Sequence, residues 1–293
     1  MTSPAFSTTP ATDAAGLPQA PPDTVPSAFS VYGRAVVRAS LPLLVSAIVA
    51  VIVWEGFLRF FDINPLVGKD ASAVWEYMFT APDASANRTA VFDPLGVTLR
   101  DASIGFVAGM IAGAVIAVCF VLFRSVEQAF MPVAMLLRSV PLVAMTPLIT
   151  LIFGRGLLGV SVIAGIVVFF PALVTIAFGL RSVNPQTRDL VVAYGGTDLT
   201  VLRKVAFPTA LPSIFAAARI SVPGALIGAL VAEWLATGKG TGGVILRDIG
   251  AFGYDNLWAS IITLTAVSVI LYTLVGLVET FVLARFGPAP TSH

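Results

Sequence analysis

A run of small residues from Gly238 to Gly243, with the sequence GKGTGG, has the composition of loops that bind phosphate. Such loops hold the phosphate on backbone N–H groups, and in nucleotide-binding proteins their lysine is followed directly by serine or threonine. Here Gly240 follows Lys239, and the run comes after a long apolar segment rather than a strand. The spacing therefore predicts a flexible extracellular turn, and if ATP drives this chain, another polypeptide must hydrolyse it.

Charged and aromatic side chains inside apolar segments are the other candidates for chemistry. Glu233, beside Trp234, fits a gate or pore-lining group, or else a carboxylate that pairs structurally or reaches the outer interface. Arg138 fits attraction of an anionic solute, contact with lipid phosphate, or bracing of neighbouring helices. Phe169 and Phe170 stand before a proline and fit a hydrophobic constriction or ordinary packing. The residues alone leave these alternatives open.

Composition excludes several classes of protein. Hydrophobic residues make up 57% of the chain and charged residues 11%, whereas soluble domains carry about 25% charged residues. The net charge of +1 argues against a nucleic-acid partner. His293 is the only histidine and Cys119 the only cysteine, so we expect no histidine catalysis, no metal site and no intrachain disulfide. We predict a lipid-embedded protein that binds no cofactor of its own.

Six apolar segments, each near the roughly 20 residues needed to cross the hydrocarbon, follow a polar tail. They are 36–60, 96–123, 131–153, 157–180, 213–237 and 259–284. The pattern predicts an all-α, polytopic membrane protein with six transmembrane helices. Its predicted parts are a disordered cytoplasmic tail, a first transmembrane helix, an extracytoplasmic loop and a five-helix core: 1–30, 31–62, 63–94 and 95–286. The third segment carries Arg138 and the fifth carries Arg219 and Glu233, which favours the interior of a helix bundle for both.

Glycines repeat every four residues in two of these segments. They are Gly105, Gly109 and Gly113 in the second segment, and Gly224 and Gly228 in the fifth. Such stripes allow two helices to approach closely. They fit helix contacts inside one subunit or a seam between two copies of the chain.

The stretch 181–212 is the only long charged stretch between strongly apolar segments. Its pattern predicts two short helices, with Gly195 supplying a positive φ at the turn and Thr197 the N-cap of the second helix. We expect Pro208 and Pro212 to end that helix before the next apolar segment begins. A folded element of this kind suits docking into a groove on a partner protein, although an ordinary loop has the same composition.

This stretch resembles the so-called EAA loop of importer permeases that work with ATP-binding-cassette subunits. The family's acidic residue, alanine, glycine and hydrophobic-proline pair correspond to Asp189, Ala193, Gly195 and Phe207-Pro208. Three further blocks occur in the family's order and resemble its nitrate, sulfonate, taurine and bicarbonate branch: 136–156, 169–185 and 230–243. Asp189 stands where the family has glutamate, and Gly196 where it commonly has another small residue. These two departures leave the detailed contacts of the loop open.

The resemblance implies a type I importer permease architecture in which 181–212, here called the coupling segment, docks on an ATPase from the cytoplasm. The residues implied to contact the ATPase are Asp189, Ala193, Tyr194, Gly195, Gly196, Thr197, Asp198 and Leu199. The implied partners are a second permease copy, two ATPases that bind ATP and Mg²⁺, and an extracytoplasmic solute-binding protein. A homodimer and a heterodimer with a close relative both satisfy this scheme. An ATP-independent secondary transporter or channel is the alternative from another class, and an intramembrane enzyme ranks last.

The placement of lysine and arginine favours both termini in the cytoplasm of a multi-pass protein of the cell membrane. The residues that decide this orientation lie mostly between Arg181 and Lys204. The family branch implies a small anion or a polar organic molecule as the solute. Nothing in the sequence chooses among these solutes, because selectivity is expected to rest largely with the binding protein.

Overall fold

The computed structural model describes residues 45–286, and this part of the chain is helical and contains no strand. The first helix, α1, covers 45–60 and belongs to one compact unit of the chain, whereas the residues from Asp62 onward belong to another. The predicted tail 1–30 and the first part of the predicted segment 36–60 lie outside the described residues.

The second unit is built from long and short helices in the described part of the chain. They are α2 Ala71–Trp75, α3 Ala84–Leu122, α4 Arg124–Ser139, α5 Leu142–Phe153, α6 Leu157–Arg181, α7 Pro185–Ala193, α8 Asp198–Val201, α9 Phe207–Ala232, α10 Gly240–Ala251 and α11 Tyr254–Phe286. Three π turns, in which backbone hydrogen bonds reach back five residues, occupy Glu76–Thr80, Leu202–Ala206 and Glu233–Thr237. Within residues 45–286, four helices are long and apolar enough to cross a membrane, or five crossings if one bent pair counts as a span. The prediction of an all-α polytopic protein is confirmed.

Helix α6 lies at the centre of this unit because α3 and α9 both pack closely against its backbone. A Cβ added to Gly105 of α3 would lie 2.5 Å from the carbonyl oxygen of Ser161, well inside contact distance. A Cβ added to Gly228 of α9 would lie 2.9 Å from the Cα atom of Ala164. The two glycine stripes are therefore used for helix contacts inside one subunit, and not for a seam between two copies.

The third predicted segment, 131–153, is not one straight crossing. Helices α4 and α5 are bent by 102° relative to each other, and the break falls at Val140 and Pro141. Val140 has an extended backbone, with φ −73° and ψ 126°, as expected for a residue before proline. Pro141 has no N–H group to continue the hydrogen bonds of α4. The third predicted segment is therefore part of a bent pair of helices rather than one continuous helix.

The fifth predicted segment, 213–237, belongs to a helix that is longer than predicted. One helix runs from Asp198 to Thr237 without a break, so Pro208 and Pro212 do not end a helix as predicted. In the π turn before α9, the N–H group of Phe207 bonds to the carbonyl of Leu202. Pro208, which has no N–H group, falls in the first turn of α9, directly after this change of register. The whole helix Asp198–Thr237 is called span five below.

The predicted extracytoplasmic loop 63–94 contains α2, a π turn and the first part of α3. Its early residues are tied to α11 by long-range contacts. The Lys69 ammonium lies 3.0 Å from the Asp255 carboxylate, and the Trp258 indole N–H donates to the carbonyl of Val67 at 2.8 Å. The segment is thus ordered by contacts with the end of the chain, and the side of the membrane that it faces stays a prediction.

Candidate functional site

The coupling segment folds at its centre as the sequence predicts. Helix α7 ends at Ala193, and Gly195 has a φ of 83°, in the left-handed region. Thr197 caps α8, because its hydroxyl accepts from the N–H group of Thr200 and its own N–H group donates to the Thr200 hydroxyl. This reciprocal capping box fixes the turn by local bonds alone. The predicted positive φ and the predicted N-cap are both confirmed.

The residues predicted to contact an ATPase lie at the surface of this turn. The Tyr194 side chain is 86% exposed and that of Leu199 is 52% exposed. The other exposed members are Asp189, Ala193, Gly195, Thr197 and Asp198, and Gly196 is half-buried. Leu202, one helical turn after Leu199, is 7% exposed and joins the apolar core. An aromatic and a leucine side chain held in solvent on an ordered turn favour a surface that binds another protein.

Two ion pairs hold the coupling segment in place. Arg181, the last residue of α6, pairs with Glu127 of α4. Arg188 of α7 donates to the Asp198 carboxylate of α8 at 2.9 Å. The first pair ties the start of the segment to α4, and the second closes its two short helices on each other. An open cleft of about 1120 Å³ lies between α4 and the segment.

The side chains predicted to line a solute path lie on three separate elements. Arg138 is exposed in the last turn of α4. Phe169 and Phe170 are half-buried in α6, with their ring centroids 5.0 Å apart in an edge-to-face arrangement. The Trp234 side chain is 49% exposed, whereas the neighbouring Glu233 is 1% exposed. A role of these five residues in the solute path stays a prediction.

Glu233 faces the interior of the subunit, where it contacts α3 and α10. Its Oε2 atom accepts hydrogen bonds from the Thr98 hydroxyl and the Gly242 N–H group, both at 2.9 Å. The structure thus shows the structural pairing that was one of the open alternatives for this carboxylate. The prediction of a flexible turn at Gly238–Gly243 is wrong, because α10 begins at Gly240 and its first five residues are buried.

Comparison with known proteins decides the class of this chain. A family described as "Binding-protein-dependent transport system inner membrane component" matches residues 105–288, which is more than half of the 293 residues. The chain belongs to this family. The protein is therefore the permease subunit of an importer of small solutes, a multi-pass protein of the cell membrane that works with ATPase and binding-protein partners.

Individual relatives agree with this assignment over most of the chain. The permease is 26% identical over 236 residues to a "Probable ABC transporter permease protein" of Haemophilus influenzae, covering 80% of this chain and 94% of the relative. It is 29% identical over 192 residues to the formylaminopyrimidine transport permease protein of Halalkalibacterium halodurans, covering 66% and 77% of the two chains. A riboflavin transport system permease protein of Chloroflexus aurantiacus is 33% identical over 156 residues, which cover 53% and 58%.

Sequence reasoning missed several residues that shape the permease's site. Glu127 and Arg188 form the ion pairs that fix the coupling segment, and Thr98 is the partner of Glu233. The pairs of Glu127 and Thr98 join residues that are far apart in the sequence, so no periodic pattern marks them. The sequence feature that could have indicated the contact of Glu233 with α10 is the glycine run at Gly238–Gly243, since a glycine-rich helix start indicates a nearby anion.

Proposed function

We propose that the coupling segment is the site at which the permease receives force from a separate ATPase subunit. Two permease copies, as a homodimer, would each present one coupling segment to one ATPase that binds ATP and Mg²⁺. Closure of the ATPases on ATP draws the two segments together and rocks the permease from an inward-open to an outward-open state, and hydrolysis resets it. The permease itself catalyses no reaction in this scheme.

The observation that carries this proposal is that an exposed, locally fixed turn leads directly into span five. Span five is one helix of 40 residues, which corresponds to about 60 Å at 1.5 Å per residue. Force applied to the exposed Tyr194 and Leu199 is thus transmitted to a continuous helix, because α8 is the first part of span five. A flexible loop with the same residues would absorb the displacement instead.

The proposed orientation places the coupling segment and both chain termini in the cytoplasm. Basic side chains of the segment support it, since Arg181 and Arg188 are 43% and 59% exposed while they keep their ion pairs. Exposed arginine and lysine beside membrane spans are typical of cytoplasmic loops. The binding protein then delivers solute to the opposite face.

The proposed solute is a small polar organic molecule or a small anion. Two of the relatives are named for formylaminopyrimidine transport and riboflavin transport, which favours an organic solute. Arg138, Phe169, Phe170, Glu233 and Trp234 remain the proposed residues of the path or its gate. Of these, Arg138 and Trp234 are the exposed ones in a single copy and are the first to examine.

The test is to replace Gly195 by leucine and to measure uptake and ATPase activity in vesicles that contain the complete transporter. The Cβ atom would meet nothing within 4 Å, but the φ of 83° strains any L side chain by about 1–2 kcal/mol and shifts the turn. We expect uptake to fall about ten-fold while ATP hydrolysis continues and the permease stays in the membrane.

Gly154 offers a matched control for this experiment. It also has a positive φ, 85°, with nothing within 4 Å of an added Cβ, but it lies between α5 and α6. Gly154→Leu is also strained, because φ 85° with ψ 167° is a region that essentially only glycine occupies, and we expect it to leave the ratio of uptake to hydrolysis unchanged. Wild-type coupling in Gly195→Leu, or equal loss in both variants, would overturn the proposal.

A further inference from the structure

Helix α10 begins without a cap from its own residues. Its N-cap is Lys239, whose side chain makes no capping hydrogen bond. The first N–H groups of any helix have no partner within the helix and must find one elsewhere when they are buried. Thr241 and Gly242 are both buried, so their N–H groups require acceptors from other parts of the fold.

The acceptors come from two other helices. The Thr241 N–H group donates to the Thr98 hydroxyl of α3, and the Gly242 N–H group donates to Glu233 Oε2 of span five, both at 2.9 Å. The Thr98 hydroxyl in turn donates to the same carboxylate oxygen at 2.9 Å. Thr98 is 0% exposed and Glu233 is 1% exposed. A carboxylate at the N-terminal end of a helix is favoured by the helix dipole, which offsets part of the cost of its burial.

The glycine run has a physical reason in this arrangement. Gly240 has a φ of 70°, and a Cβ atom on it would overlap the Glu233 carboxylate. A Cβ on Gly242 would lie 2.6 Å from the carbonyl oxygen of Leu230. The run thus does what glycine-rich helix starts do around phosphate, but the bound anion is a carboxylate of the chain itself. Thr98, Glu233 and the N-terminus of α10 are called the clasp below.

The clasp fastens the first turn of α10 to span five. The later half of α10 has two other attachments: Arg247 donates to the carbonyl of Gly238, directly after span five, at 2.7 Å, and the Asp248 carboxylate accepts from the side-chain amide of Asn256 in α11 at 2.8 Å. Leu246 and Ile249 in the later half of α10, and Phe252 directly after it, are exposed apolar side chains. A displacement of span five reaches α10 through the short link Gly238-Lys239 and through Glu233, which fixes the direction of the first turn of α10.

We propose that Glu233 is a positioning residue that caps α10 from span five, so that α10 follows span five when the coupling segment moves. The inference rests on the proposed function, because it needs span five to be the moving element. Thr98 fastens the same helix start to α3. The clasp thereby sets the position of α10 at the end of span five opposite the coupling segment.

The test is hydrogen exchange of the complete transporter, combined with uptake, in Glu233→Ala and Glu233→Gln. We expect Glu233→Ala to speed exchange in the first turn of α10 by about ten-fold or more without changing exchange in the core of α6. Uptake should fall while ATP hydrolysis continues. Glu233→Gln keeps an acceptor oxygen of the same reach and should restore most of the protection and most of the uptake.

Thr98→Val serves as a second variant if Glu233→Ala does not accumulate in the membrane. It has nearly the same shape, keeps the carboxylate and removes only the hydroxyl, so exchange should rise at Thr241 and less at Gly242. Unchanged exchange in α10, a uniform rise in all helices, or normal uptake with a loosened α10 would each overturn the proposal. Gly195→Leu, measured beside these variants, distinguishes failure of the proposed function from failure of this inference. Normal coupling of uptake to hydrolysis in Gly195→Leu would contradict the proposed function, whereas the exchange rates in α10 test the capping by Glu233 separately.

Discussion

The two ends of span five differ in how far other residues of the chain cover them. At the coupling end, the turn around Gly195 has open space beside it, and Tyr194 is 86% exposed. At the clasp end, the carboxylate of Glu233 is buried and its N–H donor, Gly242, has no room for a methyl group. The clasp end is covered by the chain's own residues, whereas the coupling end is ordered but left uncovered. An ordered and uncovered surface is what a partner protein requires.

The comparison predicts that the largest loss of stability comes from crowding the clasp end. Gly243→Ala places a Cβ atom on the backbone of Gly238, and backbone atoms cannot move aside as the end of a side chain can. We expect a loss of about 3 kcal/mol or more, measured as a lower thermal midpoint of the purified permease. Gly250→Ala in the same helix has nothing within 4 Å and should keep the wild-type midpoint or raise it. Equal thermal midpoints for Gly243→Ala and Gly250→Ala would contradict the close packing that distinguishes the clasp end from the coupling end.

The second prediction concerns binding at the coupling end. Tyr194→Ala should leave stability within about 0.5 kcal/mol of wild type but weaken association with the ATPase by about 2 kcal/mol, as removal of an exposed aromatic anchor does. Phe252 is a matched control, because it is 77% exposed and lies outside the coupling segment, directly after α10. The affinity of the ATPase for each variant measures the effect. A weaker complex with Phe252→Ala, or an unchanged complex with Tyr194→Ala, would show that the ATPase uses another surface.

A smaller effect is expected from the ion pairs that fix the coupling segment. Arg188→Ala breaks an exposed pair with Asp198 and should cost less than about 1 kcal/mol. Arg181→Ala should cost more, since it leaves Glu127 without its partner and that side chain is only 15% exposed. A double-mutant cycle for each pair, read from denaturation midpoints, gives the coupling energies. A larger energy for the exposed pair would reverse the expected order.

The smallest predicted effect is a dependence on pH at the far end of α10. Burial raises the pKa of the Asp248 carboxyl above its usual value, although Asn256 and Arg247 act in the opposite direction. Because the folded protein then holds this proton more tightly than the unfolded chain, the contribution to stability is present at low pH and is lost as pH rises through the raised pKa. Thermal midpoints of Asp248→Asn should lack this loss, and those of Asn256→Ala should show a larger one. If the thermal midpoints of wild type and Asp248→Asn changed in parallel with pH, the pH dependence could not be assigned to Asp248.

Local chemistry explains which features the sequence predicts. Gly195 and Thr197 determine their turn from neighbouring residues only, and hydropathy locates the long apolar helices because each must satisfy its own backbone in lipid. The prolines show where such reasoning fails. Pro141 breaks a predicted span, while Pro208 sits inside a continuous helix, because the π turn before it changes the hydrogen-bond register. A π turn leaves no clear mark in a single sequence.

The surroundings of Glu233 show a second limit of sequence reasoning. Its partner Thr98 lies 135 residues earlier in the chain, and only the packing of α3 against span five brings the two together. From the sequence, the carboxylate fits a gate and a structural pair equally well. The sequence does predict, through Gly105 and Gly228, that α3 and span five each pack closely against another helix, but not which polar groups that packing encloses.

The π turn at Leu202–Ala206 also has a geometric consequence for the coupling segment. A π turn contains one residue more than the α-helical turn that it replaces, and one residue corresponds to a rotation of about 100° around the helix axis. The extra residue therefore sets the direction in which the Tyr194 turn points relative to α9. Deleting one residue from Leu202–Ala206 would keep the helix and every side chain of the turn, yet aim that turn at a different quadrant of the membrane surface.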